Sequence, residues 1–221
     1  FTDNSFSRGE LYNNDPITKD ARFCGTTASM CGVEKAGFCG DEEGMERAIR
    51  LDLMLHAYML FQSGIPMVYS GDEIGQVNDY TYKDDPDKAA DSRYIHRGPF
   101  KWELVEHIGN PETVQGKIFK GLRKLEELRA AHEAFDGQAQ AKTMNLGDNS
   151  LLGIVRDGGG ETVAGIFNFS SQEKCVAWGN KEERILAGDG CMGEDAIVIP
   201  AFGFVWLMRS TGAYPLMHAP A

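Results

Sequence analysis

No apolar run in this 221-residue chain reaches the roughly 18 to 20 positions that a membrane-spanning helix needs. The longest candidate, Leu51 to Phe61, is broken by Asp52 and His56. Positive charge is scarce: 22 Lys and Arg stand against 33 Asp and Glu, a formal net charge of −11. Nucleic-acid backbones and anionic membranes would repel such a surface, so neither is expected as a partner. A neutral ligand suits it better. Cysteine is sparse and poorly spaced for chemistry. Cys24, Cys31, Cys39, Cys175 and Cys191 are odd in number and contain no C-x-x-C, which argues against a zinc site and against a disulfide framework. They read as mostly buried thiols of a reducing, cytoplasmic compartment, with a bridge inside the 24/31/39 group as the lesser alternative. The opening "FTDNSFSRGE" begins on Phe1 and has neither the basic start nor the apolar middle of a signal peptide. An internal start, and with it a piece of a longer protein, is the expectation. There is no internal repeat and no low-complexity tract.

What is present is ordered by period. Residues 1 to 42 are rich in Gly, Asn, Asp, Thr and Ser and read as loop, with a short helix near Thr26 to Cys31. From Glu43 the apolar positions Met45, Ala48, Ile49, Leu53, Ala57, Leu60 and Phe61 fall on helical spacing. Leu51, Met54, Leu55 and Tyr58 widen that face, so a helix over about 43 to 62 must pack on more than one side. Gly64 stops it and Pro66 forbids its continuation. The next residues, "GIPMVYSGDEIG", read as a short buried strand over 66 to 70 that exits onto Asp72 and Glu73. A helix feeding a short apolar strand is the unit of a parallel α/β structure. The polar stretch 75 to 109 is too long to be structureless in a compact protein, and its aromatics point to an ordered, functional loop. Asn110-Pro111 starts an amphipathic helix that runs to about Glu133. Beyond it the pattern turns to strands. "SLLGIVRD-GGG-ETVAGIFNFSS" is a hairpin, and "KCVAWG", "ERILAG", "DAIVIP" and "GFVWLMRS" are further short strands of an antiparallel β domain, a sandwich or Greek key.

The succession of a helix, Gly-x-Pro-x-x-Tyr-x-Gly-Asp-Glu, a long loop with an arginine, a helix and a β domain resembles the C-terminal part of glycoside hydrolase family 13, the α-amylase family. "SFSRG", "DARFCGTTAS", "GDEIGQVND" and "DKAADSRYIHR" resemble stretches of amylosucrase and its sucrose-acting relatives, in the same order. The resemblance runs from about residue 5 to 209. It implies a fold of α/β plus all-β class, the C-terminal fragment of a (β/α)8 barrel followed by a small antiparallel β-sandwich. The implied boundaries are 1–136 for the barrel portion, 137–210 for the β-sandwich and 211–221 for a tail. It also implies a retaining enzyme, whose two carboxylates stand about 5 to 5.5 Å apart across the scissile bond. In the family those carboxylates precede the eighth strand. The resemblance therefore places no catalytic residue in this chain, which is expected to be inactive alone.

By the same resemblance Arg93 closes the floor of a glucosyl pocket by pairing with an Asp from an early barrel loop, for which a planar guanidinium is suited. That partner is not in this chain, so Arg93 is expected to be exposed. Arg22 resembles an arginine of the outer acceptor or fructosyl subsites, and reads equally as a surface residue paired with Asp20. Arg8 has a weaker claim of the same kind. Asp72 and Glu73 lie where the eighth strand exits to an active site, and read either as substrate-facing or as acceptors for the N–H groups of their own loop. Tyr80, Tyr82 and Trp102 are candidates for stacking on sugar rings or for packing under the loop. His96 and Arg97 read as cleft-facing or as loop surface. His56 reads as a core histidine, and "DDPD", 84 to 87, as a solvated run, since it lacks the glycine and terminal Glu of a calcium loop. No cofactor and no metal are expected. The partner is a sugar, sucrose or an α-glucan, in the full-length enzyme, and the apolar helix and strand favour self-association of the isolated chain. Whether the parent hydrolyses or transfers glucose is left open. The alternative function is a non-catalytic carbohydrate-binding or structural β module with a helical arm.

Overall fold

The computed structural model describes residues 5–12, 15–18, 20, 22–179 and 183–209. The chain divides into two compact units, one of residues 1–52 and 68–120, the other of residues 53–67 and 121–221. The expected tail over 211–221 lies outside the described residues. No described helix is long and apolar enough to cross a membrane.

The first unit opens with a two-stranded antiparallel ribbon, β1 (Glu10–Tyr12) and β2 (Arg22–Cys24). Thr26 then caps α1 (Thr27–Cys31), its side chain accepting the Ser29 N–H at 3.3 Å. This is the short helix expected there. The sequence reading missed α2 (Val33–Cys39), a seven-residue helix too short to show a period. Next comes α3 (Glu42–Phe61), within a residue of its expected span. Asp41 accepts the Gly44 N–H at 2.9 Å, and Glu42 and Glu43 favour the positive helix start. Ala28, Val33 and Ala48 form a core cluster with Met45, Val77 and Val114 packed on it.

The expected strand over 66 to 70 is not formed. Residues 65 to 69 take no regular secondary structure and make no ladder, and Ile65 and Met67 are 92% and 84% exposed. The reason is physical: a parallel strand is stable only between neighbours, and every sheet among the described residues is antiparallel. The polar stretch that follows is ordered, as expected, by single turns: 3-10 turns at Asp72–Ile74, Thr81–Asp84 and Ser92–His96, and α4 (Trp102–Val105). Gly71 and Gly75 bracket the first of these at φ 100° and 59°, conformations that suit glycine. The next helix, α5 (Val114–Ala131), starts later than Asn110-Pro111, because Thr113 supplies the cap by accepting the Gly116 N–H at 3.0 Å.

The second unit carries β3 (Ala141–Met144), β4 (Leu151–Gly158), β5 (Glu161–Asn168), β6 (Lys174–Ala177), β7 (Arg184–Gly188), β8 (Cys191–Met192), β9 (Ala196–Ile199) and β10 (Phe204–Arg209). They form a five-stranded sheet, β3-β4-β5-β10-β7, and a three-stranded sheet, β6-β9-β8. The glycine-turn hairpin is β4–β5, in the register Gly158↔Glu161. Val155, Ala164, Ile166, Val205 and Leu207 of the large sheet share one core cluster with Val176, Ile197 and Ile199 of the small one. Alternation along β5 and β10 turns Phe167, Phe204 and Trp206 to the other face of the large sheet. There Phe61 meets Trp206, Phe167 and Phe135 edge-on, with ring centroids 5.4, 5.8 and 5.3 Å apart, and Tyr58 meets Phe167 at 5.7 Å. Gly165 leaves the room: a Cβ there would stand 2.9 Å from the Phe61 ring. The large sheet is therefore covered on that face by residues from the end of α3, which the strand pattern alone did not reveal.

Arg156 is fully buried beside this cluster. Its guanidinium donates to the carbonyls of Ala134 (2.9 Å), Phe61 (3.1 Å), Asp136 (2.7 Å) and Ala139 (3.2 Å). Arg129 does the same for the carbonyls of Leu60, Gln62 and Gly64. Two arginines thus satisfy the carbonyls that the end of a helix leaves unpaired.

Candidate functional site

A recess of about 750 Å³ lies within the first unit. One wall is Glu10, Leu11 and Tyr12 of β1, and the other is Tyr82, Lys83 and the run Ala89 to Arg93. The two walls are tied together by side chains. Tyr82 and Lys83 both donate to the Glu10 carboxylate. Ser92 donates to the Leu11 carbonyl at 2.9 Å. Beneath them Cys24, Tyr82 and Ile95 form a small apolar cluster.

Arg93 is, with Tyr82, a predicted residue that this recess contains. Its Nε donates to Asp91 Oδ1 at 2.8 Å and its Nη2 to Asp91 Oδ2 at 2.7 Å, a two-point contact. The guanidinium lies 4.8 Å over the Tyr12 ring, a cation–π geometry. Its side chain is 41% exposed. The side chain is thus partly exposed, as expected without the early-loop Asp, but Asp91, two residues away, supplies a local partner, because the turn Ser92–His96 folds Arg93 back over its own cap. Asp91 is that cap, accepting the Arg93 N–H at 3.0 Å.

The charges in the recess are settled by these contacts. Hydrogen bonds from Arg93 hold the Asp91 carboxyl down to about 2, and Asp91 in turn raises Arg93. Burial pushes Glu10 up, but hydrogen bonds from Lys83 and Tyr82 outweigh it and leave Glu10 below its ordinary value. Burial and the Glu10 contact push the Tyr82 phenol up. Two cations and two carboxylates line the recess, each matched to the other, so its walls carry no unpaired formal charge.

Apart from Tyr82, which lines the recess, the other named candidates lie outside it. Asp72 accepts the Tyr69 N–H at 3.3 Å and Glu73 the Gly71 N–H at 2.8 Å, so both hold their own turn. Arg22 is exposed and stands 3.9 Å from Asp20. Arg8 donates to the carbonyls of Ser5 (2.8 Å) and Ser7 (3.0 Å). Of the aromatics, Tyr82 is buried, Tyr80 donates to Glu34 at 2.7 Å and Trp102 is exposed against Phe100. His96 packs on Tyr69, and burial lowers its pKa. His56 is buried, as expected of a core histidine. Asp85 of the acidic run pairs with Lys88 at 2.7 Å, and among the described residues no cluster of His, Cys, Asp or Glu could hold a metal. The thiols depart from expectation: all five are free, but only Cys24 and Cys31 are buried, because Cys39 ends a short helix and Cys175 and Cys191 sit on outer faces of two-to-four-residue strands. Sequence reasoning missed Glu10, Tyr12, Lys83 and Asp91. Only the Asp-x-Arg spacing of Asp91 and Arg93 offered a signal, and it is a weak one.

No protein-family model matches the chain. Over 171 residues it is 26% identical to glucosylglycerate phosphorylase of Escherichia coli (strain K12), a match covering 76% of this chain and 29% of that protein. Among solved structures, trehalulose synthase MutB of Pseudomonas mesoacidophila MX-45 is similar with a TM-score of 0.56 at 16% identity, over 72% of this chain and 38% of that one. Trehalose-6-phosphate hydrolase of Bacillus licheniformis gives 0.57 at 16%, over 83% and 42%. An isomaltulose synthase variant of Erwinia rhapontici NX5, solved with its natural substrate sucrose, gives 0.55 at 15%, over 71% and 37%. The chain spans less than half the length of each of these proteins. These likenesses agree with the one read from the motifs: the chain resembles the C-terminal part of family 13 enzymes that act on sucrose and trehalose.

Proposed function

We propose that the chain is the C-terminal part of a glycoside hydrolase family 13 enzyme, one that transfers or hydrolyses α-glucosyl units of sucrose or a related α-glucoside by a retaining mechanism. The observation that carries this is the extent of the match: about three quarters of the chain, both its loop-rich and its β portions, follows enzymes of this one kind. In this reading residues 1–136 are the end of a (β/α)8 barrel and 137–210 its β-sandwich. Residues 66 to 70 become the eighth strand once neighbours flank them, and Arg93 lies at the floor of the glucosyl pocket. Arg22, Arg8, Asp72 and Glu73 are carried as substrate-facing candidates of the assembled enzyme. An amylosucrase-like parent is the finer form of the proposal.

The chain supplies no nucleophile and acid pair by this reading, so purified chain turns over neither sucrose, maltose nor starch. Protein-dependent glucose release would sink that statement. The test of the family reading is the longer polypeptide encoded around this segment: it should convert sucrose or a related α-glucoside with retained anomeric configuration, seen by proton NMR. An inactive longer polypeptide, or inversion, counts against it. The exposed Ile65 and Met67 and their unpaired backbone lead us to expect self-association of the isolated chain, which light scattering at micromolar concentration decides. A clean 24.3 kDa monomer refutes it. A carbohydrate-binding β module is the lesser reading. Among the described aromatic residues beyond 139, Phe169 alone is exposed, while Trp178 and Trp206 are buried, which leaves little stacking surface for a sugar.

A further inference from the structure

The long loop of the first unit leaves and returns at one buried side chain, Gln76, which is 7% exposed. Its Nε2 donates to the Pro99 carbonyl at 3.1 Å, and its Oε1 accepts the Lys101 N–H at 3.0 Å. Its own N–H donates to the Gly71 carbonyl at 2.9 Å. One step further in, the two limbs of the loop meet again. The Asp79 N–H donates to the Ile95 carbonyl at 2.8 Å, and a Cβ on Gly98 would stand 2.8 Å from that of Asp79. Asn78 anchors the outgoing limb to the start of α1 by accepting the Thr26 N–H at 2.8 Å. Ile95, on the returning limb, is fully buried and packs with Tyr82 against Cys24 of the ribbon.

We infer that Gln76 is a positioning residue for the recess: it latches the returning limb, 95 to 101, and through Ile95 keeps the loop wall seated on the ribbon. It acts from outside the recess, whose walls it does not line. An amide is the group this task needs. Pro99 offers an acceptor and Lys101 a donor, and one planar amide meets both. Gln76 is sealed from water, so releasing it frees two backbone groups together, and the limb is held or let go as a unit. The loop wall is thus held at two places. Tyr82, Lys83 and Ser92 tie it to the ribbon across the recess, and the Gln76 latch closes it at the foot of the loop. The latch needs no ligand, so it stands or falls apart from the sugar-enzyme reading.

Cys24 and Cys31 are its reporters. Both are buried free thiols of the first unit, but Cys24 packs against Ile95 and Tyr82, whereas Cys31 belongs to α1. Gln76→Met keeps the length of the side chain and removes both of its hydrogen bonds. In the native chain it should raise the rate at which Cys24 meets a thiol reagent at least about tenfold over wild type and leave Cys31 unchanged, with the five thiols separated by peptide mass spectrometry. Ile95→Ala should speed Cys24 as well. In the double variant the two effects should combine to less than their product, because one acts through the other. A Cys24 rate that Gln76→Met leaves unchanged overturns the latch. So does an equal rise at Cys24 and Cys31, which would mean that the whole unit has loosened. Full multiplicativity overturns the route through Ile95. Hydrogen exchange in the wild type needs no variant: the Asp79 and Lys101 N–H groups should be protected alike, within about threefold, since one opening frees both. Protection that differs by about tenfold or more overturns the single latch.

Discussion

Residues 151 to 209 and residues 69 to 113 reach a fixed structure by different means. The first stretch is held by ladders and rings: seven strands pair antiparallel, and Trp206, Phe167 and Phe61 interlock on one face of the larger sheet. The second has no ladder. It is a series of single turns, each closed by a side chain accepting a nearby backbone N–H, as at Asp72, Glu73, Asp79 and Asp91. The first design is cooperative, because each ring touches several others. The second is modular, because each capping contact closes only its own turn, and separate side-chain contacts, such as Ser92 to Leu11 and Tyr82 to Glu10, tie the turns to the ribbon. A site that needs adjustable polar groups is served by the second kind.

Removing the helix end from the β region should have the largest effect. A polypeptide of residues 121–209 lacks Tyr58 and Phe61, and we expect it to show no cooperative urea transition by circular dichroism. A sharp transition would mean that the strands suffice on their own, as their sequence pattern alone suggests. Next in size, Trp206→Ala should cost about 3 to 5 kcal/mol in the same assay, while Trp102→Ala, on an exposed side chain, should stay within about 0.5 kcal/mol. Comparable losses at the two tryptophans would erase the distinction between rings and turns.

Acid should weaken both regions with the same sign. Asp91 titrates at about 2 in the folded chain, below the ordinary carboxylate value of about 4, so the unfolded chain takes up its proton first. Its contribution is complete above about pH 4 and lost as pH falls through about 2. Asp148 in the second unit is also held below its ordinary value, by hydrogen bonds from Lys174 and Ser150, and loses its contribution in the same direction. Melting temperature should therefore fall below about pH 4, and less in Asp91→Asn than in wild type. An equal fall would place the acid sensitivity elsewhere. The smallest effect concerns the thiols. Cys39, Cys175 and Cys191 should react quickly with a thiol reagent, and Cys24 and Cys31 only on unfolding. Five fast thiols would contradict the burial of the last two.

The features legible in the sequence were those with a period or a cap. The long helix α3, the hairpin β4–β5 and the strand β10 were all readable because their apolar residues repeat over several turns or alternate over several pairs. The stretch 65 to 69 misled because a short apolar run reads as a buried strand, and the run cannot tell whether a neighbour is present to pair with it. Helix α2 was too short to show a period. The site was legible only at Arg93, and there through resemblance rather than spacing. Tyr12 lies some 80 residues before Arg93, and Glu10 some 70 before Tyr82 and Lys83; they meet through a ribbon of three-residue strands, which no local pattern announces. Asp91 looked like one more acid in an acidic loop.

The cage around Arg156 has a consequence for ionic strength. Its partners are neutral carbonyls and its side chain is sealed from solvent, so dissolved ions have little purchase on it. The Lys83–Glu10 and Arg93–Asp91 pairs are partly exposed, and there the same ions screen the attraction. Raising sodium chloride should thus loosen the recess while leaving the joint at Arg156 closed, so that brine alone could separate the mobility of one from the rigidity of the other.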